Sequence, residues 1–265
     1  MKKEIKTIAL LTDFGIKDHY AGVVKGRILK ELKKDCLVNF IDITHEIPPQ
    51  DVRKACLTLY FSYKYFPENT VFLVIVDPGV GTERKGILIK TEKYFFIGPD
   101  NGVFSLVIKE CLKNRIQVEC FYINDKVLLK PPYSSTFHGR DLFAPAVSFL
   151  LEKGIEKRVF IKLPLKDLKK LDFPEPEKTQ NGFRLSVWYI DVFGNLITNF
   201  HRNLVDKDFR VIVNKQEVPL VKSYGYEEEG KVIALFGSEG LLEIAVNKGS
   251  AYKKLGIPEI EVIWK

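Results

Sequence analysis

A carboxylate and a guanidinium in one short loop are the first side chains that suggest chemistry. Asp77 follows the apolar run 71–76 and precedes Pro78-Gly79, and Arg84 comes seven residues after it, before the chain returns at Gly86. One loop can therefore present both charges to one cavity. The same spacing also fits a plainer arrangement, in which the Asp caps a turn and the Arg pairs with it at the surface.

His138 is the histidine best placed to exchange a proton. It lies in the segment TFHGRD, at the entrance of a stretch with helical spacing, and imidazole titrates near neutral pH. Asp141 is predicted as the N-cap of this helix. The apolar positions predicted to face the core are Leu142, Val147 and Leu150. A lone histidine is often structural instead, and the other histidines of the chain are His19, His45 and His201.

Two further segments carry side chains suited to binding. Asp13 and Asp18 follow the apolar run 7–12, at a strand end where ribose or amine recognition is plausible, although both also suit an ordinary turn. In segment 188–199, Phe193 offers a stacking face, Asn195 a donor and acceptor for a purine edge, and Asp191 an anion for an ammonium group. A purine with a cationic tail would satisfy all three, whereas a plain hairpin needs only the glycine and amide at its turn.

Alternating strands and helices must position these loops. The predicted strands are 7–12, 37–43 and 71–76, and the predicted helices are 20–32, 51–63 and a segment that opens at Gly102. This alternation is typical of an α/β domain with a mainly parallel sheet covered by helices on both faces. Ligands bind such sheets beyond the carboxyl ends of the strands, where the loops with Asp13, Asp77 and 98–102 would meet.

A charged stretch that contains two prolines divides the chain. Residues 167–181 favour an extended, solvated backbone, so we predict an α/β domain over 1–166, a linker over 167–181 and a second domain over 182–265. Beyond the linker, short β-rich runs alternate with turn signals. The second domain is therefore predicted to be small and antiparallel.

The composition is that of an ordinary folded protein. The 265 residues are 46% hydrophobic and 28% charged, with a net charge of +7 from lysines spread along the chain, which argues against nucleic-acid binding. No apolar run approaches the roughly 20 residues of a membrane span. The four cysteines show neither CxxC nor zinc-ligand spacing, so no metal site is expected and a cytoplasmic location is the simplest. The single Met and abundant Lys, Glu and Ile resemble a thermophile-like composition.

Six motifs follow one another along the chain. They are LTDFG (11–15), VDPGVGTER (76–84), GPDNG (98–102), TFHGRD (136–141), DVFGNLITN (191–199) and SEGLLEIAVNKG (238–249). Together they resemble the S-adenosyl-L-methionine (SAM) hydroxide adenosyltransferase family, relatives of the fluorinating and chlorinating SAM enzymes. The resemblance implies an N-terminal α/β domain joined to a C-terminal antiparallel β-barrel domain, in a homotrimer whose sites lie between neighbouring subunits.

The resemblance also implies roles for individual residues. The hydrolytic triad would be Asp77, Arg84 and His138. The implied substrate contacts are Asp13 for the ribose hydroxyls, Asp18 and Asp191 for the methionine ammonium, Asn195 and Phe193 for the adenine, and Ser238, Glu239 and Lys248 for the remaining methionine and adenine contacts. At Glu239 the halogenating relatives carry Arg, which leaves the partner of the methionine carboxylate open.

A departure from the halogenating relatives favours water as the nucleophile. Those relatives have Tyr in place of Asp77 and Ser in place of Gly139, and an ionised carboxylate repels a nearby halide. The hypothesis is therefore displacement at C5′ of SAM by water or hydroxide, which yields adenosine and L-methionine with no metal or cofactor. The base is His138 or the Asp77–His138 pair. The alternatives are a SAM-dependent halogenase and a SAM- or adenosine-binding protein without turnover.

Overall fold

The structure is a computed structural model that describes residues 5–265. Its internal contacts divide the chain into two compact units. The N-terminal unit ends at Leu171, and the C-terminal unit spans Asp172–Lys265. Across the described chain, every helix falls short of the length and apolarity that crossing a bilayer requires.

Seven strands form the sheet of the N-terminal unit. Their bounds are β1 Lys6–Thr12, β2 Val38–Thr44, β3 Val71–Ile75, β4 Gly86–Lys90, β5 Phe95–Pro99, β6 Glu119–Ile123 and β7 Phe160–Leu163. Their order in the sheet is β2-β1-β3-β5-β4-β6-β7. Strands β2, β1, β3, β5 and β6 run in one direction and β4 and β7 in the other. The predicted mainly parallel sheet is confirmed, and β4 turns back into β5 because residues 91–94 are too few for a parallel crossover.

Helices cover both faces of this sheet, as predicted. Their bounds are α1 Tyr20–Glu31, α2 Val52–Ser62, α3 Ser105–Lys113, α4 Asp125–Leu128 and α5 Ala144–Lys153, with single turns at Tyr63–Tyr65 and Leu165–Asp167. Successive side chains of a strand point to opposite faces. In β1, Ile8 therefore joins the apolar cluster under α1 and α5, and Ala9 joins the cluster under α2 and α3.

The prediction of Asp141 as a helix N-cap is wrong. The helical segment begins earlier, with a π-helical turn over Gly139–Phe143 that continues into α5. Asp141 lies inside this turn, where its carboxylate accepts hydrogen bonds from the backbone N–H of Ser134 at 2.8 Å and from the side chain of Arg140 at 2.7 Å. The carboxylate therefore ties the helix to the loop before it. The three apolar positions predicted to face the core are buried.

The C-terminal unit consists mainly of antiparallel strands. Their bounds are β8 Glu177–Thr179, β9 Gly182–Leu185, β10 Val187–Ile190, β11 Leu196–His201, β12 Phe209–Val213, β13 Gln216–Val218, β14 Val232–Phe236, β15 Leu241–Val246 and β16 Ile260–Trp264, with helix α6 at Ala251–Leu255 and single turns at Arg202–Leu204 and Tyr224–Tyr226. They form one sheet in the order β10-β11-β15-β14 and another in the order β13-β12-β16-β9-β8. The predicted small antiparallel domain is confirmed.

The two sheets share one apolar core. Leu196 and Ile244 of the first sheet belong to the same buried cluster as Val211 and Val262 of the second. Within residues 5–265 the strand pairing forms these two sheets without closing into one ring. Strand β8 lies inside the predicted linker, because an exposed edge strand can be polar throughout and so carries no apolar pattern.

Candidate active site

Loops from several strands enclose a cavity of about 270 Å³ in the N-terminal unit. It lies at the carboxyl ends of β1 and β3, where parallel sheets bind their ligands. The lining residues are Asp13, Phe14, Gln50, Ile75, Asp77, Pro78, Val80, Thr136, Phe137, His138 and Gly139. The loops with Asp13 and Asp77 therefore meet as predicted, together with the segment that carries His138, whereas the prediction that the loop 98–102 joins them is wrong.

Asp77 and Arg84 form a buried ion pair at this cavity. Arg84 donates from Nε to Oδ1 of Asp77 at 2.9 Å and from Nη2 to Oδ2, so the pair is bidentate. The exposed fractions of the two side chains are 6% for Asp77 and 7% for Arg84. This burial excludes the alternative predicted from sequence, an ion pair at the surface, since both charged groups have lost their contact with water. The pair is therefore held in a fixed geometry.

A glycine lets this loop approach the segment that carries His138. Gly81 has a φ of +77°, and a Cβ at this position would lie 2.4 Å from the backbone oxygen of Ser135. No other residue fits so close an approach with a left-handed backbone. The loop from Asp77 to Arg84 thus packs directly on the chain that leads to His138.

His138 completes a connected group of three ionisable side chains. Nη2 of Arg84 lies 3.3 Å from Nδ1 of His138. Because a guanidinium can only donate, Nδ1 accepts this hydrogen bond, and the neutral ring carries its proton on Nε2. Burial and then the charge of Arg84 lower the pKa of His138, which agrees with a neutral ring.

The acid of the group is also shifted. Burial raises the pKa of Asp77, against the opposing effect of Arg84. Within the described chain, Nη1 of Arg84 is buried without a hydrogen-bond partner. A shifted carboxyl and a neutral imidazole at the cavity, joined by a buried guanidinium, can together hold a small polar molecule and exchange a proton with it.

The loop 98–102 supports the site from behind. Asn101 donates from Nδ2 to the carbonyl of Val76 at 2.8 Å, directly before Asp77. Asp100 accepts a hydrogen bond from the backbone N–H of Lys169 at 2.9 Å, and burial raises the pKa of this carboxyl as well. This loop is absent from the cavity wall. The GPDNG motif therefore stabilises the end of the strand that precedes Asp77.

The first loop contributes one of its two predicted acids to the cavity. Asp13 lines the cavity, and its Oδ2 accepts a hydrogen bond from the backbone N–H of Gln50 at 2.8 Å. Asp18 lies on the exposed turn before α1 and outside the residues that line the cavity. Gln50 was missed by the sequence analysis. Its available signal was the Pro48-Pro49 pair, which ends the β2 loop beside the Asp51 N-cap of α2.

In the C-terminal unit, Asp191 holds a turn together. Its Oδ1 accepts hydrogen bonds from the backbone N–H groups of Phe193 at 2.9 Å and Asn195 at 2.8 Å, and its Oδ2 accepts one from Nδ2 of Asn195 at 2.9 Å. Asn195 is only 4% exposed, whereas Phe193 is 73% exposed. Three of the predicted contacts, Asp191, Phe193 and Asn195, thus belong to one hydrogen-bonded turn, and among these three Phe193 is the side chain most available to a ligand.

The remaining predicted contacts lie on neighbouring turns of the same unit. Ser238 donates from Oγ to Glu239 at 3.3 Å. Burial, followed by the charges of Glu243, Asp191 and Glu239, raises the pKa of Tyr189 to about 12, so two of the predicted acids act on one ring. Lys248 is exposed and pairs with Glu229 at 3.1 Å.

Comparison with known proteins decides the family. The model for the SAM hydroxide adenosyltransferase N-terminal domain matches residues 8–158, and the model for the C-terminal domain of the same family matches residues 185–263. The chain belongs to the SAM hydroxide adenosyltransferase family. The resemblance predicted from six motifs is confirmed.

Relatives in this family align over nearly the whole chain. A protein of Methanocaldococcus jannaschii named (R)-S-adenosyl-L-methionine hydrolase is 37% identical over 97% of this chain and 95% of its own. A protein of the same name from Thermus thermophilus is 35% identical over 96% and 97% of the two chains. The fluorinase of Nocardia brasiliensis is more distant, at 25% identity over 92% and 91%.

A solved structure has the same fold. The crystal structure of an uncharacterized conserved protein from Thermotoga maritima superposes with a TM-score of 0.82, at 38% identity over 96% of this chain and 99% of the other. The similarity to this structure covers residues of both units. Within residues 5–265, no three His, Cys, Asp or Glu side chains gather as a metal ion would require.

Proposed function

We propose that this protein hydrolyses SAM at the ribose C5′ and releases adenosine and L-methionine. The relatives named (R)-S-adenosyl-L-methionine hydrolase support this reaction and point to the R epimer at sulfur. The observation that carries the proposal is the connected group of Asp77, Arg84 and His138, in which Asp77 and His138 line the cavity and Arg84 joins them. A group of this kind suits the activation of one water molecule.

The charges of the reaction suit a buried pocket. Water or hydroxide attacks C5′, the bond from C5′ to sulfur breaks, and its electron pair stays on sulfur as a neutral thioether. A developing anion and a sulfonium cation cancel in the transition state, so fixed dipoles in a dry site favour it over separated ions in water. Asp77 of the cavity wall is such a fixed group, since its side chain and that of its partner Arg84 are nearly fully buried.

The hydrogen bonds within the group support separate roles for the acid and the imidazole. Nδ1 of His138 accepts from Arg84, so this ring offers its Nε2 proton to the oxygen of the attacking water. Asp77 takes the proton that the water loses, since its two oxygens accept from Arg84 and from the backbone of Gly79 and still retain a lone pair between them. The raised pKa of Asp77 makes it a stronger base than an exposed carboxylate.

SAM hydrolysis also gives a role to each of the predicted substrate contacts. Asp13 binds the ribose hydroxyls and Phe193 stacks on the adenine. Asp18 and Asp191 bind the ammonium group of the methionine, while Ser238, Glu239 and Lys248 lie near the remainder of the substrate.

The protein works in the cytoplasm as a homotrimer whose sites lie between subunits. The 73% exposure of Phe193 and the 91% exposure of Val192 support an interface at this turn.

Isotope transfer tests the reaction. The protein is incubated with SAM enriched in the R or the S epimer, in oxygen-18 water, and adenosine and methionine are measured by mass spectrometry. We expect one oxygen-18 atom at the 5′ position and faster turnover of the R epimer. Formation of 5′-chloro-5′-deoxyadenosine when chloride is added would instead identify a halogenase. Calorimetric binding of SAM without any product would identify a binding protein.

A further inference from the structure

His45 is a buried histidine that does not line the cavity. It lies just after β2 and is 7% exposed. Its Nδ1 lies 2.8 Å from Oγ1 of Thr12, the last residue of β1. Its Nε2 lies 3.1 Å from Oδ1 of Asp42, although the oxygen is off the line of a well-directed hydrogen bond. We treat this second contact as an electrostatic one.

The direction of the hydrogen bonds follows from their neighbours. The backbone N–H of Phe14 donates to Oγ1 of Thr12 at 3.3 Å, and because a carboxylate faces Nε2 of His45, the neutral ring accepts the hydroxyl proton of Thr12 at Nδ1. The ring proton then lies on Nε2 and faces Asp42, which also accepts from Nζ of Lys25 at 2.6 Å. Polar groups linked in one direction strengthen one another in a buried setting.

Backbone hydrogen bonds extend this link to the cavity. The N–H of Gly15 donates to the carbonyl of His45 at 2.7 Å, and the N–H of Ile47 to the carbonyl of Thr12 at 3.4 Å. The segment 45–50 is therefore fastened along the loop that carries Asp13. At its far end, the N–H of Gln50 donates to Asp13.

The backbone conformation of Gln50 indicates that the surrounding structure holds the segment 45–50 in place. Gln50 has a φ of +66°, in the left-handed region that is unfavourable for residues other than glycine. Such a conformation persists where the surrounding structure holds it in place. Here the surrounding structure includes the bonds that His45 makes at the start of the same segment.

We propose that His45 is a positioning residue for substrate binding. By joining the loops after β1 and β2, it holds the Gln50 N–H against Asp13 and so aims the Asp13 carboxylate into the cavity. The inference rests on the proposed SAM hydrolysis, in which Asp13 binds the ribose hydroxyls. His45 itself touches neither the substrate nor the attacking water.

Steady-state kinetics of adenosine formation from SAM test the role. His45→Leu removes both ring contacts, whereas His45→Asn keeps an amide where Nδ1 stood. For His45→Leu we expect KM to rise roughly tenfold, as for the loss of one hydrogen bond to a charged group, with kcat almost unchanged. His45→Asn should restore most of the binding. Thr12→Val, which breaks the same link from its other end and leaves the ring in place, should raise KM like His45→Leu.

Two controls separate positioning from folding. Thr70→Val removes the hydroxyl of another fully buried threonine, which donates to the carbonyl of Pro67 near the opposite end of β3, so its KM should equal that of the wild type. In an Asp13→Ala background, His45→Leu should cause no further rise in KM, because it acts through Asp13.

The outcomes distinguish failure of the proposed SAM hydrolysis from failure of the proposed role of His45. A wild-type protein that forms no adenosine overturns the proposed function and this inference with it. If the wild type is active, an unchanged KM in Thr12→Val and His45→Leu overturns the inference alone. Additive effects of His45→Leu and Asp13→Ala would overturn it as well. Should His45→Leu fail to fold, Thr12→Val and His45→Asn still give the comparison.

Discussion

The two units carry polar groups that are organised in opposite ways. In the N-terminal unit, Asp77 pairs with a residue seven positions away, and Arg84 reaches on to His138, 54 positions away. In the C-terminal unit, the carboxylate of Asp191 bonds within four positions, to its own turn. The first group joins separate loops around a cavity, and the second makes one loop rigid. This difference predicts that the first group sets the rate and the second sets the binding of substrate.

Asp77→Asn is the substitution with the largest expected effect on this contrast. The amide matches the carboxyl in size but neither accepts the proton of water as a base nor balances the charge of buried Arg84. We expect kcat to fall by about 10²- to 10⁴-fold, the usual contribution of a general base. Adenosine formation measured by chromatography gives kcat, and calorimetry should find SAM still bound.

Asp100→Asn is the matched control for that loss. Asp100 is another partly buried carboxyl with a raised pKa at the same edge of the sheet, and it accepts from the backbone of Lys169. Its substitution should change kcat by less than about threefold, a change of under 1 kcal/mol in the barrier. Equal losses in both variants would mean that kcat reports the integrity of the sheet edge, and Asp77 would lose its assigned role.

The pH dependence of kcat/KM gives the next largest effect. Asp77 acts when ionised, so kcat/KM should fall about tenfold per pH unit below its pKa, with an inflection above the roughly 3.9 of an exposed aspartate. The inflection is raised because burial raises the pKa of Asp77. Burial also lowers the pKa of His138, so its ring stays neutral as the pH falls further than it does for an exposed histidine.

Variants assign this acidic limb of the profile. Asp77→Asn should remove it from the residual activity, while Asp13→Asn should keep it and only weaken binding. An inflection that persists in Asp77→Asn would transfer the role of base to His138. Because the two groups are coupled through Arg84, the inflection of the wild type belongs to the connected group.

The sequence predicts a site residue correctly where a polar side chain directly follows a recognisable apolar strand. Asp77 follows a fully buried strand, and parallel strands end at a common edge, so the meeting of its loop with that of Asp13 was predictable. Strands β1, β2 and β3 could be predicted from their apolar runs, whereas β4 to β7 were not predicted. The period of apolar residues in α1 and β1 is a local property, and the structure matches it within one residue at each end.

Contacts made by the backbone, or between residues distant in sequence, could not be predicted from residue types. The bond from Gln50 to Asp13 uses a backbone N–H, so no residue type at position 50 predicts it. His45 is one of four histidines, and only its distance to Thr12 reveals what it joins. Asp141 had the right type for an N-cap, but the adjacent Arg140 and the backbone of Ser134 engage its carboxylate. For Gln50 and His45 the partner lies more than 30 positions away in sequence, and for Asp141 the choice between two local partners depended on where the helix begins.

Phe193→Ala tests the binding side of the contrast and has the smallest expected effect. The ring is 73% exposed on a turn that Asp191 keeps rigid, so its removal should cost stacking without disturbing the fold. We expect KM for SAM to rise by about tenfold, from the 1 to 3 kcal/mol of a base stacked on an aromatic ring, with kcat nearly unchanged. Tyr226→Ala removes another exposed aromatic ring of the same unit and should leave KM as it is. If Phe193→Ala lowered kcat as strongly as Asp77→Asn, the turn would belong to the reacting group, and the division between a group that sets the rate and a turn that binds substrate would fail.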